Sequence, residues 1–166
     1  STGSHNIKME VDPGEAVGES EEGDNTYTKT ITVTQGQPNL TPYKPSAWSD
    51  KLVVSTVTGN HTDSPTLLNT DTLYVDMGWR NIGDAVASEA YTVDLYVDDV
   101  KVQTCGPYSS TNPNSTLACS DKVVSPLSTG SHNIKMEVDP GEAVGESEEG
   151  DNTYTKTITV TQGQPN

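Results

Sequence analysis

The 166-residue chain has no phenylalanine, nine lysines and arginines together, three histidines and two cysteines. Each scarcity excludes something. Against so few cations stand 24 acids, for a formal net charge of −15. A surface of that sign repels nucleic acid and anionic lipid, so neither is an expected partner. No apolar run approaches the ~20 residues that span a bilayer, so no membrane insertion is expected. His5 duplicates His132, which leaves His61 and His132 far apart in sequence. No nucleophile elbow, zinc-protease helix or phosphate loop accompanies them, so no catalytic residue is assigned and no enzyme is expected. The cysteines, Cys105 and Cys119, do not form a Cys-x-x-Cys pair, which removes the usual redox and metal motif.

What is present is a repeat. Residues 1–39 are identical, letter for letter, to residues 128–166, at an offset of 127. Periodicity of this kind takes precedence over local features. The natural reading is a complete repeat at 40–166 preceded by the end of an identical one, 1–39, with both copies closing on the same residue, Asn39 and Asn166. A duplicated tag is the alternative, but tags are not built of alternating β-forming residues. A 127-residue period has the size of an ordinary domain, so the pattern implies tandem beads and not a short-repeat solenoid.

Within the repeat the hydrophobic period is two. Leu73, Val75, Met77 and Trp79 alternate with polar residues, as do Tyr91, Val93, Leu95 and Val97, then Ile134, Met136 and Val138, then Tyr154, Ile158 and Val160. Lys156 interrupts the last row and is expected to snorkel at a sheet edge. Such alternation, punctuated by turns at Asn81–Asp84, Asp98-Asp99 and Ser128–Ser131, predicts an all-β fold: an immunoglobulin-like antiparallel β-sandwich. Asp98-Asp99 reads as a two-residue hairpin turn of positive φ. The proline-rich stretch Gln35–Pro45 fits either a stiff inter-repeat link or a first strand with proline at an edge. Residues 1–39 carry two predicted strands, 6–11 and 26–34, the last two of a sandwich whose other strands are not in the chain. They are a window on a longer polymer, a donor to a neighbouring subunit, or disordered.

A disulfide between Cys105 and Cys119 would close a polar loop and suits an extracellular or cell-surface setting; two free thiols are the alternative.

These residues together resemble the CARDB family, the cell-adhesion-related bacterial domain. The likeness rests on WRNIGDAVASEAYTVDLYVDD, PLSTGSHNIKMEVDPGEAVGESEEGDN and TYTKTITV. It matches the family's Asn-x-Gly at Asn81 and Gly83. It also matches the signature that leads into the last strand at Asp139, Pro140, Val144, Glu146, Ser147, Glu149 and Asn152. The cysteine-bounded loop departs from the pattern and looks like an insertion, with the following strand shortened to about Lys122–Ser125. The resemblance implies repeated extracellular modules that space or adhere, without catalysis.

Three sets of candidate sites remain. The acidic string offers Asp139, Glu142, Glu146, Glu149 and Asp151 as oxygen ligands for calcium, in a spacing unlike an EF-hand; the alternative is a solvated loop plugged into the core by Val144. Asn-x-Ser/Thr occurs at Asn39, Asn60 and Asn114, all in expected loops where N-glycans would sit, and the linker threonines could carry O-glycans. Chance alone would supply about two such sequons. Trp48, Tyr43 and Tyr108 are the aromatic candidates for a glycan- or protein-binding platform, or else pack at a domain junction. The expected role is a structural module of a filament, stalk or adhesin, assembled head to tail with identical neighbours. A binding module, calcium-dependent where the acidic loop holds the ion, is the second reading.

Overall fold

The computed structural model describes residues 1–166 apart from Glu22, Ser125, Pro165 and Asn166, so the expected repeat end at Asn166 and the last residue of the expected short strand lie outside the described residues. The chain divides into two compact units, Ser1–Gly36 and Gln37–Asn166.

The first unit is a single antiparallel hairpin. Strand β1, Gly3–Glu10, pairs with β2, Thr26–Val33, from Gly3 opposite Val33 to Glu10 opposite Thr26. The strands begin earlier than residue 6 because the ladder runs back to Gly3.

The second unit is a two-sheet β-sandwich. Its strands are β3 (Leu40–Pro42), β4 (Leu52–Ser55), β5 (Leu67–Leu68), β6 (Tyr74–Asn81), β7 (Tyr91–Val97), β8 (Val100–Tyr108), β9 (Thr116–Val123), β10 (Gly130–Val138) and β11 (Thr153–Thr161). One sheet has the order β5-β11-β10-β7-β8. In the other, β6 is central: β9 pairs on one side, and β3 and β4 follow one another along the opposite side. All pairings are antiparallel except the short β5–β11 contact, which is parallel. The only helical turn among the described residues is a 3-10 turn at Glu149–Asp151.

The alternation seen in the sequence places the core. Val75, Met77 and Trp79 of β6 face Val93 and Leu95 of β7 and Ile134, Met136 and Val138 of β10 in one buried cluster. Each such side chain contributes roughly 1.5–3 kcal/mol by leaving water. The β7–β8 hairpin turns on Asp98 and Asp99, at φ 49° and 64°, as a two-residue turn of right-handed twist demands.

Two expectations change. The segment after the cysteine loop is not a short remnant: β9 begins at Thr116, includes Cys119 and runs along β6. Thr116, Ala118 and Asp121 are among its exposed positions, and an irregularity between Cys119 and Lys122 breaks the alternation. Lys156 stands where β11 has no outer neighbour, since β5 pairs only with Val160 and Thr161, but its head is paired and not left in water. Its ammonium crosses from β11 to the other sheet, donating to the Leu52 carbonyl at 3.0 Å and pairing with Asp50 at 3.0 Å and Asp63 at 2.7 Å. The gap it makes in the apolar row is thus filled by an inter-sheet tie.

Candidate functional site

Polar chemistry concentrates where the chain enters the sandwich. Gln37, Pro38 and Asn39 precede β3 and lie between two loops, one after β6 and one after β10. Gln37 donates its N–H to Asp84 Oδ1 at 2.8 Å, and its carbonyl accepts the N–H of Asp84 at 3.1 Å. The Pro38 carbonyl accepts the Ser147 N–H at 2.9 Å, and the Asn39 carbonyl accepts that of Ile82 at 2.7 Å. Pro38 and Asn39 are buried. The compact unit therefore starts three residues before Leu40, earlier than the sequence repeat suggests, because these backbone groups find their partners in the sandwich. Of the two readings of the proline-rich stretch, the edge strand is found: Pro42 ends β3, which among the described residues pairs with β6 alone.

Asn81 organises the first loop. Wholly buried at the end of β6, its Oδ1 accepts the N–H groups of Asn39 and Gly83, both at 3.0 Å. Its Nδ2 donates to the carbonyls of Ala85 and Thr111 at 2.8 and 2.9 Å. All its hydrogen-bonding capacity is committed, as a buried amide requires. Gly83 lets the incoming chain pass: a Cβ there would stand 2.3 Å from the Gln37 carbonyl oxygen and 2.5 Å from the Asn39 nitrogen. The Asn-x-Gly spacing is thus a seat for residues 37–39.

The acidic loop forms the other wall. Asp139, at φ 47°, accepts from the N–H groups of Ala143 and Val144 at 3.1 and 2.7 Å, which folds the loop back and drives Val144 into the core. The same geometry stands in the isolated hairpin, where Asp12, at φ 46°, accepts from Ala16 and Val17 at 3.0 and 2.7 Å. The loop shape is therefore local to the sequence. Glu149 accepts the Glu146 N–H at 2.8 Å. Glu146 is buried; one carboxylate oxygen accepts the Leu40 N–H and the other the Asn152 amide at 3.1 Å. Burial raises its pKa to about 7, against the lowering effect of those two hydrogen bonds and with help from the nearby Glu149 and Asp139 charges. Asp151 Oδ2 accepts from Asn39 Nδ2 at 3.4 Å.

The candidate residues are placed as follows. The five proposed calcium ligands do not converge. Asp139, Glu146 and Glu149 accept from backbone N–H groups, and Asp151 accepts from Asn39 through one oxygen while its other oxygen is buried without a protein partner; Glu142 is exposed at φ 48°. Among the described residues no three His, Cys, Asp or Glu side chains are grouped to hold a metal ion. Of the sequons, Asn114 is exposed, with its Oδ1 accepting from Arg80 at 3.3 Å. Asn60 is half-buried, its amide donating to Ser55 Oγ and the Thr62 carbonyl. Asn39 is not on the surface, since its amide nitrogen is the group held by Asp151.

The aromatic candidates are used in packing. Trp48 is buried and stacks on His61 at 4.6 Å between ring centres; Arg80 covers Tyr43; Tyr108 packs edge-on against Trp79. Cys105 of β8 and Cys119 of β9 form a disulfide, which joins the two sheets because β8 pairs with β7 and β9 with β6. The pairing of Glu146 with Leu40 was not visible in sequence. Its one signal was a glutamate two residues beyond a core valine, too buried to be solvated.

A CARDB family model matches residues 50–156. The chain belongs to the CARDB family. Its fold is similar to that of the CARDB domain of the PF1109 protein of Pyrococcus furiosus, known from a crystal structure in complex with di-metal ions. That likeness has a TM-score of 0.57 at 17% identity, over 79% of this chain and 100% of that one. The solution structure of the same CARDB domain gives 0.53 at 17% identity, over 78% and 100%. Residues 272–376 of an inferred cell surface protein of Methanosarcina acetivorans give 0.53 at 21%, over 76% and 95%. At these identities the likeness speaks for the CARDB fold alone. No curated protein matches the chain. No helix among the described residues is long and apolar enough to cross a membrane.

Proposed function

We propose that this CARDB domain is a mechanical repeat of a cell-surface array, placed head to tail with identical copies outside the cell. The observation that carries the reading is a contrast between two copies of one sequence. In the sandwich, Ile134, Met136, Val138 and Val144 are fully buried; in the hairpin, their counterparts Ile7, Met9, Val11 and Val17 are all more than half exposed. The hairpin has the same register as β10–β11 and lacks only the strands that would cover it. On this reading the cover belongs to an identical repeat, whose closing hairpin is residues 3–33.

The disulfide fits an oxidising exterior. A net charge of −15 keeps a crowded array soluble and self-repelling. The cell-surface setting is supported by the Methanosarcina acetivorans relative. Glycans, if carried, would suit Asn114 best by exposure. Electron microscopy of native material tests the reading: beads in regular succession are expected, and isolated single particles would end it.

A further inference from the structure

We infer that the Gln-Pro-Asn found at 37–39 and again at 164–166 is not part of the domain whose last strand it follows but docks into the next one. The partner surface is the seat between the Asn81–Ala85 loop and the acidic loop, and its ligand is the tail of a second copy. Residues 37–39 have the sequence of 164–166, so the seated segment is the last piece of a preceding repeat. Every backbone N–H and C=O it offers in the seat is directed to the following domain: to Asp84, Ala85, Asn81, Ile82 and Ser147. Gly83 leaves room for that backbone and for nothing larger.

The other end of the sandwich holds the outgoing chain. Gly163 is the residue that corresponds to Gly36. It is buried and donates its N–H to Asn69 Oδ1 at 2.9 Å, while the Asn69 N–H is bound to the Thr161 carbonyl. A Cβ at Gly163 would stand 2.7 Å from Thr70 Oγ1. The chain is therefore held by its own domain through Gly163. By sequence identity, the residue after Gly163 is the one that the next domain holds as Gln37. The structural repeat runs from 37 to 163, the same length as the sequence period. Resting on the tandem-array reading, the junction between repeats then contains no free linker residue, and its only loose point is the single peptide after the glycine. Tension along such an array is passed from one domain's Asn69 to the next domain's Asn81 and Glu146 without slack.

The docking itself is tested in the full chain. Gly-Ser-Gly is inserted between Gly36 and Gln37 in one variant and between Asn39 and Leu40 in another. The first is expected to leave the unfolding midpoint of the sandwich unchanged, and the second to lower it by several degrees. Hydrogen exchange on the unaltered chain is the companion measurement: the N–H groups of Ile82, Asp84 and Ser147 are expected to be protected like strand amides. Equal effects of the two insertions, destabilisation by the first alone, or free-loop exchange at those three amides would overturn the inference. None of these readouts depends on whether native material is an array, which microscopy decides separately.

Discussion

Ile7 and Ile134 occupy the same place in two identical 39-residue sequences, yet Ile7 is 55% exposed and Ile134 is fully buried. Sequence is held constant between them, so only the surrounding strands differ. Ile134→Ala opens a cavity in the sandwich and is expected to cost about 2–5 kcal/mol. Ile7→Ala in the same chain is expected to change stability by less than about 0.5 kcal/mol. Urea unfolding of the two variants checks this, and equal losses would show that the hairpin is covered after all.

Gly83 should be intolerant for a reason of space alone. The Gly83→Ala methyl meets three backbone atoms of residues 37–39, none of which is a flexible side-chain end. A loss of about 1–3 kcal/mol is expected from such overpacking. Gly145→Ala is the control, because nothing lies within 4 Å of its would-be Cβ. Thermal unfolding separates the two; matching midpoints would mean that the seat yields.

Glu146 sets a pH dependence of unusual sign for a carboxylate. Its folded pKa of about 7 lies above the ordinary 4.5, so the folded state holds a proton that the unfolded chain releases. Its contribution is fully present below about pH 4.5 and is lost as pH rises through about 7. Asn152 Oδ1, buried without a protein partner, can accept the Glu146 O–H if the amide turns over. The difference in stability between wild type and Glu146→Gln should therefore shift against wild type by up to about 3 kcal/mol between pH 5 and pH 8. Urea titrations across that range measure it; parallel curves would show that Glu146 ionises as a surface group does.

The Cys105–Cys119 bridge closes a short loop, at a sequence separation of 14, and joins the two sheets. Reduction is expected to cost roughly 3 kcal/mol. The check is the urea midpoint after reduction verified by mass, and an unmoved midpoint would make the bridge decorative.

Much of this fold can be read from the chain before any coordinates. Alternating rows such as Val75, Met77 and Trp79 declare strands because a two-residue period has one structural meaning. Asp98-Asp99 declares its turn because so few residues accept positive φ. The phase of the repeat is another matter. Identity between 1–39 and 128–166 measures a period, and a period has no origin. The origin is set by where Gln37 finds Asp84, a contact 47 residues away that leaves no local trace. Glu146 is opaque in the same way. Six acids in one string look alike, and only one of them meets the N–H of Leu40, 106 residues distant. Lys156 was legible as an interruption but not as an inter-sheet tie, since its acids, Asp50 and Asp63, lie on the opposite sheet's loops.

The most direct test of the account is a two-repeat protein in which residues 37–127 are joined ahead of Ser1. Hydrogen exchange is then followed in Gly3–Glu10 and Thr26–Val33. These amides are expected to become as slow as those of Gly130–Val138 and Thr153–Thr161. Exchange as fast as in the 166-residue chain would contradict it.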